Sequence, residues 1–516
     1  MAARVDKAVR RKINSKCKCS NGKSENILKQ SVGLRPILIF VAASLITALL
    51  LETFPHTKQF LVKWNVEEYL EYQHQPTPTY ALLLNGSKEA HLEHVISVLH
   101  KLGYKRVGVN DSWNLLWSHQ YPFFKLSLTE LGKHQVVNHF PGCGFLTSKV
   151  DLSTSRFPFQ PQAFRLPEES DAFLKYAQEH PDTLFVQKNN RHRHIKLKEP
   201  SEIDLTSNDS FVQEFIHRPF LVDGHKFDIG VYVVITSVNP LRVYIYTGDV
   251  MFRYCPVKYY PFDAEDIGKY VVAENFLPPW KIPALEKYYS RFGGNRRTSF
   301  EAYVRDQGKD SAQIWTQVED IIRATVMAKE KDIMRVLQSF RTHNFFDLMR
   351  FDLFIDEHLR VFLMEVNMSP NLSSAFVPEN SLLFEQVLYS ALNLVGIRSI
   401  SATAGIRYGE ESEMLTIDKN LSTDLNQCAA HNCDESCDKE ECNLCLQCLN
   451  ELEYEILQKA YQEHFNRVSM KRILPKPIHE LQNFNMTEKT LNKTQRNVWM
   501  ARWFYKKCQY DATWCT

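Results

Sequence analysis

The chain has 516 residues, 44% hydrophobic and 12% aromatic, enough to bury a large core and too many for one small domain. Its 62 basic and 60 acidic side chains leave a formal net charge of only +2, which excludes a global field steering it towards nucleic acid. An acidic protein partner would have to be met by local basic patches.

Residues 1–35 hold ten basic side chains against only Asp6 and Glu25, and residues 36–51 follow without a charge. As a helix rising about 1.5 Å per residue, 36–51 reaches roughly 24 Å, somewhat short of a hydrocarbon core. Val32-Gly33-Leu34 can lengthen it if Arg35 snorkels outward, which predicts a transmembrane signal anchor. A cleaved signal peptide is the rival, opposed by the long charged leader and by the lack of a small-x-small site after Leu51. The positive-inside rule then predicts a single-pass type II membrane protein, with 1–35 cytosolic and everything after Glu52 lumenal in the secretory pathway. With the opposite topology the chain would face the cytoplasm. Glycosylation sequons occur at Asn85, Asn110, Asn208, Asn371, Asn420, Asn485 and Asn492. Ten of the 12 cysteines lie beyond residue 51, an even number, as a disulfide framework requires.

Residues 52–79 are polar and contain proline, a stalk. Tyr80-Ala81-Leu82-Leu83-Leu84 reads as a buried strand, residues 91–102 have helical spacing through Leu92, Val95, Ile96 and Leu99, and Val107-Gly108-Val109 returns as strand. This is a small α/β lobe ending near Leu152. Residues 172–178 read as helix and 183–187 as strand. Over 227–237, Val231, Val233 and Ile235 alternate with Tyr232, Val234 and Thr236, a strand that pairs with 241–246 across Val238-Asn239-Pro240. Residues 311–339 form a long helix, and 387–395 a helix that closes the unit.

Residues 398–427 read as a polar linker of low order. Cys428, Cys433, Cys437, Cys442, Cys445 and Cys448 then fall within 21 positions. Cys442-x-x-Cys445-x-x-Cys448 alone would suit zinc, whereas an oxidising compartment favours three disulfides. Residues 451–470 read as an amphipathic helix, and Cys508 and Cys515 could close the tail.

The most informative stretch is a pair of short apolar runs, Phe351-Asp352-Leu353-Phe354-Ile355 and Phe362-Leu363-Met364-Glu365-Val366-Asn367, joined by a turn at Asp356-Glu357-His358. Period-2 alternation puts Asp352 on one face of its strand, and Glu365 with Asn367 on one face of the next. Three hard oxygen donors then converge, the arrangement that holds Mg²⁺ against nucleotide phosphates. The bland alternative is a hairpin with one polar, solvated face.

With Met368-Ser369-Pro370-Asn371 directly after it, this stretch resembles the metal-binding end of the ATP-grasp ligases, specifically the tubulin tyrosine ligase-like family. The resemblance runs from about Tyr80 to Leu394. Trp113-Asn114-Leu115-Leu116-Trp117 and Val137-Asn138-His139-Phe140-Pro141-Gly142 are similar to the family's N-terminal signatures, and Phe164-Arg165-Leu166-Pro167 to the lead-in of its central domain. Leu184-Phe185-Val186-Gln187-Lys188 resembles the strand carrying the phosphate-binding lysine, and Val212-Gln213-Glu214-Phe215-Ile216 the strand that meets adenine. Leu221-Val222-Asp223-Gly224-His225-Lys226-Phe227-Asp228 is close to its most characteristic string. The resemblance implies an α/β ATP-grasp fold over 80–397 with a small N-terminal lobe, preceded by the anchor and followed by a Cys-rich, partly helical region over 428–516.

The same resemblance implies an ATP-dependent protein–amino-acid ligase, a polyglutamylase that adds free glutamate to glutamate side chains of an acidic acceptor such as tubulin. Its cofactors would be ATP and Mg²⁺. Lys188 would contact the phosphates, Gln213 the adenine edge, and the backbone of Phe215 and Ile216 the hinge. Lys226 and Asp228 would face the nucleotide and reacting groups, Arg253 would be a further anion contact, and Asp352, Glu365 and Asn367 would hold the metal. His139 reads as a hydrogen-bonded structural residue.

Several features depart from the family's pattern. The lysine is followed by Asn189-Asn190-Arg191-His192-Arg193-His194, without the family's proline and glycine-rich loop, and the family's Lys-Phe-Asp-Ile-Arg ends here in Gly230. Glu214 stands where a basic residue is common, and nothing matches the family's His-Leu-Thr-Asn string. The alternatives are therefore a membrane-anchored pseudoenzyme, or a lumenal glutamylase with a non-tubulin acceptor.

Overall fold

Alternation decides the architecture, because the central strands bury both faces. The computed structural model describes residues 77–84, 86, 89–132, 134–189, 196–341, 344–397, 416–478 and 494–516. In the N-terminal lobe β1 (Thr79–Leu83), β2 (Lys105–Arg106), β3 (Leu115–Ser118) and β4 (Val136–Asn138) pair in parallel, with β1 flanked by β2 and β3. The second expected strand lies earlier than Val107-Gly108-Val109, at Lys105–Arg106. The backbone of Val107 still donates to Tyr80 O at 2.9 Å, so the parallel edge ends there.

A second, four-stranded antiparallel sheet holds β5 (Ala163–Leu166), β6 (Phe185–Asn189), β7 (Leu197–Lys198) and β8 (Ser210–Glu214) in the order β5-β8-β6-β7. One face buries Phe164, Leu166, Phe185 and Val212 against Phe173 of the helix Ser170–Glu179. The opposite face carries Lys188 and Gln213.

The large sheet is built on β9 (Phe227–Val238), β10 (Leu241–Tyr246), β11 (Met251–Tyr254), β12 (Phe345–Ile355) and β13 (Val361–Asn367). Here β9 pairs with β10, β11 and β12, and β12 continues through β4 into the N-terminal lobe. On β9, Val231, Val233 and Ile235 pack with Ile314, Val318 and Ile322 of the long helix Ala312–Leu337. Tyr232 and Val234 point the other way, to Val387, Leu388 and Ala391 of the helix Ser381–Leu394. Each wholly buried aliphatic side chain contributes about 1.5–3 kcal/mol, so this double-sided burial fixes the register. The helix expected from 387 begins at Ser381, a turn and a half earlier.

The C-terminal region adds a strand that helical spacing over 451–470 did not predict. The helix Glu451–Asn466 ends before Val468, whose φ of 41° breaks the helix, and β14 (Met470–Leu474) then pairs antiparallel with β10. Glu463 ties this helix to the sheet: Arg242 Nε and Nη2 donate to it at 2.8 and 3.1 Å, and Tyr244 Oη at 2.9 Å, all buried. Disulfides join Cys428–Cys445, Cys433–Cys442, Cys437–Cys448 and Cys508–Cys515, while Cys143 and Cys255 remain buried thiols outside the framework. The described part of the expected linker is ordered, with Leu421 wholly buried and its carbonyl accepting from Trp503 Nε1 at 3.0 Å.

Among the described residues no helix is long and apolar enough to cross a membrane. The basic tail, the anchor expected at 36–51, most of the stalk, residues 398–415 of the linker and the Asn190–His194 run lie outside the described residues.

Candidate functional site

One face of the large sheet changes character along its length. Beneath the helix Ser381–Leu394 it is apolar through Val234 and Leu348; further along, the same face presents Asp228, Gly230, Arg350 and Asp352. Directly opposed pairs carry this polar face across four strands: Arg253 against Asp228 on β11, Gly230 against Asp352, and Asp352 against Glu365 and Arg350 against Asn367 on β13. A cavity of about 890 Å³ opens between this surface and the Lys188–Gln213 face of the small sheet. Its lining includes Lys188, Gln213, Phe215, Ile216, Lys226, Asp228, Arg253, Asp352, Glu365 and Asn367, so the structure gathers every expected site residue round one space. It also includes Lys149 and Arg350, which the motifs had not singled out.

The metal-ligand candidates lie within hydrogen-bond reach. Asn367 Nδ2 donates to Asp352 Oδ2 and to Glu365 Oε1, each at 3.1 Å. Their charges are balanced by cations. Lys149 forms a hydrogen-bonded ion pair with Glu365. Arg253 grips Asp228 with Nε and Nη2 at 2.8 and 2.7 Å and reaches Asp352 at 3.0 Å. Arg350 holds both oxygens of Asp352 at 2.6 and 2.8 Å. Burial would raise the Glu365 carboxyl, but the Lys149 ammonium and the Asn367 amide hold it well below the usual range. Burial lifts Asp228 instead, against the pull of Arg253.

Two lysines of the lining, Lys188 on the small sheet and Lys226 just before β9, are poised unusually low. Burial, and then the neighbouring Lys149 ammonium, bring Lys188 down to about 8. Burial likewise takes Lys226 to about 8; its Nζ donates to Tyr270 O at 3.1 Å and sits 4.9 and 5.0 Å from the ring centres of Phe215 and Phe354. Both shifts have one leading cause: burial strips water from an ammonium whose close contacts among the described residues are neutral oxygens, Gln213 Oε1 for Lys188 and Tyr270 O for Lys226. Two lysines still mostly charged at neutral pH, set round one space with a carboxylate–amide cluster, make a cavity suited to a polyanion carrying a divalent cation.

His139 stands apart from this chemistry. It is buried, with Nδ1 3.0 Å from Asp347 Oδ1 and Nε2 3.0 Å from Ser118 O. It links the N-terminal lobe to β12.

The model of the tubulin-tyrosine ligase family matches residues 127–403, over half the chain and including all these site residues. The probable tubulin polyglutamylase ttll-15 of Caenorhabditis elegans is 39% identical over 470 residues, covering 87% of this chain and 90% of the relative. The chain belongs to the tubulin-tyrosine ligase family. It is thus a ligase by kinship. Mouse tubulin polyglutamylase TTLL6 is 27% identical over 57% of the chain, and human tubulin monoglutamylase TTLL4 26% over 56%. The chain spans only 38% and 25% of these two longer relatives.

These findings correct the expected placement. A type II protein anchored through 36–51, glycosylated and with a lumenal catalytic domain, is unsupported. Among the described residues no helix can cross a membrane, and the relatives are named for modifying tubulin.

Proposed function

We propose that the cavity binds ATP with Mg²⁺ in an ATP-grasp fold, and joins the amine of free glutamate to the side-chain carboxylate of a glutamate in an acidic protein tail, tubulin's by kinship. The observation that carries this reading is the gathering, round one cavity, of the Asp352–Glu365–Asn367 oxygens with Lys188 and Lys226. The names of the relatives support glutamate and tubulin as substrates.

In the first step the acceptor carboxylate attacks the terminal phosphorus of ATP, forming an acyl phosphate and releasing ADP. The glutamate amine then attacks the acyl carbon, an amide forms as phosphate leaves, and the amine gives up a proton. Such chemistry needs positioning and charge cancellation more than covalent participation. Gln213, with the backbone of Phe215 and Ile216, would hold the base. Lys188 and Lys226, each brought to full charge by phosphate oxygens, would hold the chain of phosphates. Asp352, Glu365 and Asn367 offer hard oxygens suited to Mg²⁺, which would neutralise phosphate charge. Asp228 and Arg253, locked together, would face the reacting carboxylate. The testing experiment is incubation of purified protein with ATP, Mg²⁺, labelled glutamate and a glutamate-rich peptide. Peptide carrying added glutamate, with one ADP formed per amide, is the expected result; ADP without label transfer would leave nucleotide hydrolysis alone.

A further inference from the structure

Gly230 leaves no side chain where the family's string ends in arginine, yet the space above it is filled. A Cβ built on Gly230 would lie 2.8 Å from Cδ and 3.2 Å from Nε of Arg350, and 3.2 Å from Met251 Cβ. With Asp352 as its partner, Arg350 is held over Gly230. Its guanidinium is held by both oxygens of Asp352, at 2.6 and 2.8 Å, and is nearly all buried. It reaches the site from β12, where it pairs with Tyr232 of β9, one step along the shared face from the Gly230–Asp352 pair. It also lines the cavity beside Asp228, Arg253 and Glu365. A guanidinium from one strand therefore occupies the place a long side chain from the next would take.

We propose that Arg350 is a phosphate-contacting cation of this chain, delivered from β12 to the spot that position 230 leaves empty. The proposal rests on the MgATP reading of the cavity. Charge bookkeeping shows how the guanidinium would become available. Asp228, Asp352 and Glu365 are paired with Arg253, Arg350 and Lys149, so the cluster is neutral as it stands. Asp352 and Glu365 would hold a divalent cation, whose charge would stand in for the counter-charge they now draw from Arg350 and Lys149. Arg350 and Lys149 would then turn to phosphate oxygens, which guanidinium grips bidentately as it grips a carboxylate. The same crowding means that Gly230→Arg does not improve this protein. The new stem would evict Arg350 rather than add to it.

The test exchanges the two positions. ATP and adenosine affinities are measured by calorimetry with Mg²⁺, and kcat by glutamate transfer, for wild type, Arg350→Gly, Gly230→Arg and the double variant Gly230→Arg/Arg350→Gly. The expected results are about a 10-fold weaker ATP affinity and on the order of 100-fold lower kcat for Arg350→Gly, with adenosine binding unchanged. Gly230→Arg should be no better than wild type, and the double variant should regain at least tenfold over Arg350→Gly. An Arg350→Gly protein within twofold of wild type for both ATP affinity and kcat overturns the proposal. So does equal loss of ATP and adenosine binding, or a double variant no better than Arg350→Gly. Where Arg350→Gly does not fold, Arg350→Lys and Arg350→Gln decide: the lysine variant should bind ATP several-fold tighter, and equal binding overturns the proposal. Wild-type protein that binds neither ATP nor adenosine overturns the nucleotide reading itself, and the role of Arg350 with it.

Discussion

Raising the pH should loosen ATP while firming up the empty protein, and this opposition comes from Lys188 and Lys226. Both ordinarily titrate near 10.5 and are brought down to about 8, chiefly by burial. A lysine whose folded value lies below its unfolded one is penalised while charged. That penalty applies below pH 8 and is relieved as the pH climbs from about 8 towards 10.5, so the empty protein gains stability over that window. Bound phosphate reverses the preference, because its oxygens favour the charged ammonium. At pH 7 about nine in ten of each lysine are already protonated; at pH 9 only about one in ten are, and binding must take up the rest. The affinity should therefore fall about tenfold per lysine between pH 7 and pH 9, and about 100-fold, or ~2.7 kcal/mol, for both. Isothermal titration calorimetry at saturating Mg²⁺, in two buffers of different ionisation enthalpy, reads both the affinity and the protons taken up. Lys226→Met should cut the pH dependence to about tenfold. An ATP affinity flat within twofold from pH 7 to 9, without proton uptake, would refute the placement of these lysines against phosphate.

Glu365→Gln keeps the shape but removes a metal-binding charge, so it should abolish the Mg²⁺-dependent part of the thermal shift with ATP. In wild type the nucleotide's whole contribution is about 2.7 kcal/mol at a hundred times its dissociation constant. Glu463→Ala strands the buried Arg242 guanidinium and removes the acceptor of Tyr244. It should cost about 3–5 kcal/mol in urea melts, and a loss below about 1 kcal/mol would show that the C-terminal helix is not tied to the sheet as described. Replacing Cys437 and Cys448 together by serine should remove about 2–4 kcal/mol of local stability, seen as earlier protease cleavage within 428–448, with ATP binding retained. Unchanged cleavage on reduction would contradict that bridge.

The hairpin was legible because local period and tertiary demand agree in it. Asp352, Glu365 and Asn367 alternate with residues that bury, so the face they share follows from spacing alone. Arg350 obeys the same period but lay beyond the expected start of the strand at Phe351; β12 begins six residues earlier, at Phe345. Lys149 had no local signal, since its role is set by the approach of a five-residue helix to Glu365 across more than 200 residues of chain. The edge strand β14 was hidden for a similar reason. Met470–Leu474 has little strand character of its own, and only the exposed edge of β10 defines it. The three closely spaced disulfides fall within one short segment and could be anticipated from it, whereas Cys143 and Cys255 are thiols because the core closes round each separately.

The central claim is that this cavity couples ATP cleavage to amide formation. Mass spectrometry of a glutamate-rich tubulin-tail peptide, after incubation with the protein, ATP, Mg²⁺ and isotopically labelled glutamate, tests it most directly. The expected spectrum shows labelled glutamate in amide linkage to acceptor side chains, matched by equal ADP, and absent with Glu365→Gln. An unmodified peptide alongside wild-type protein that demonstrably binds MgATP would contradict the ligase assignment of the site.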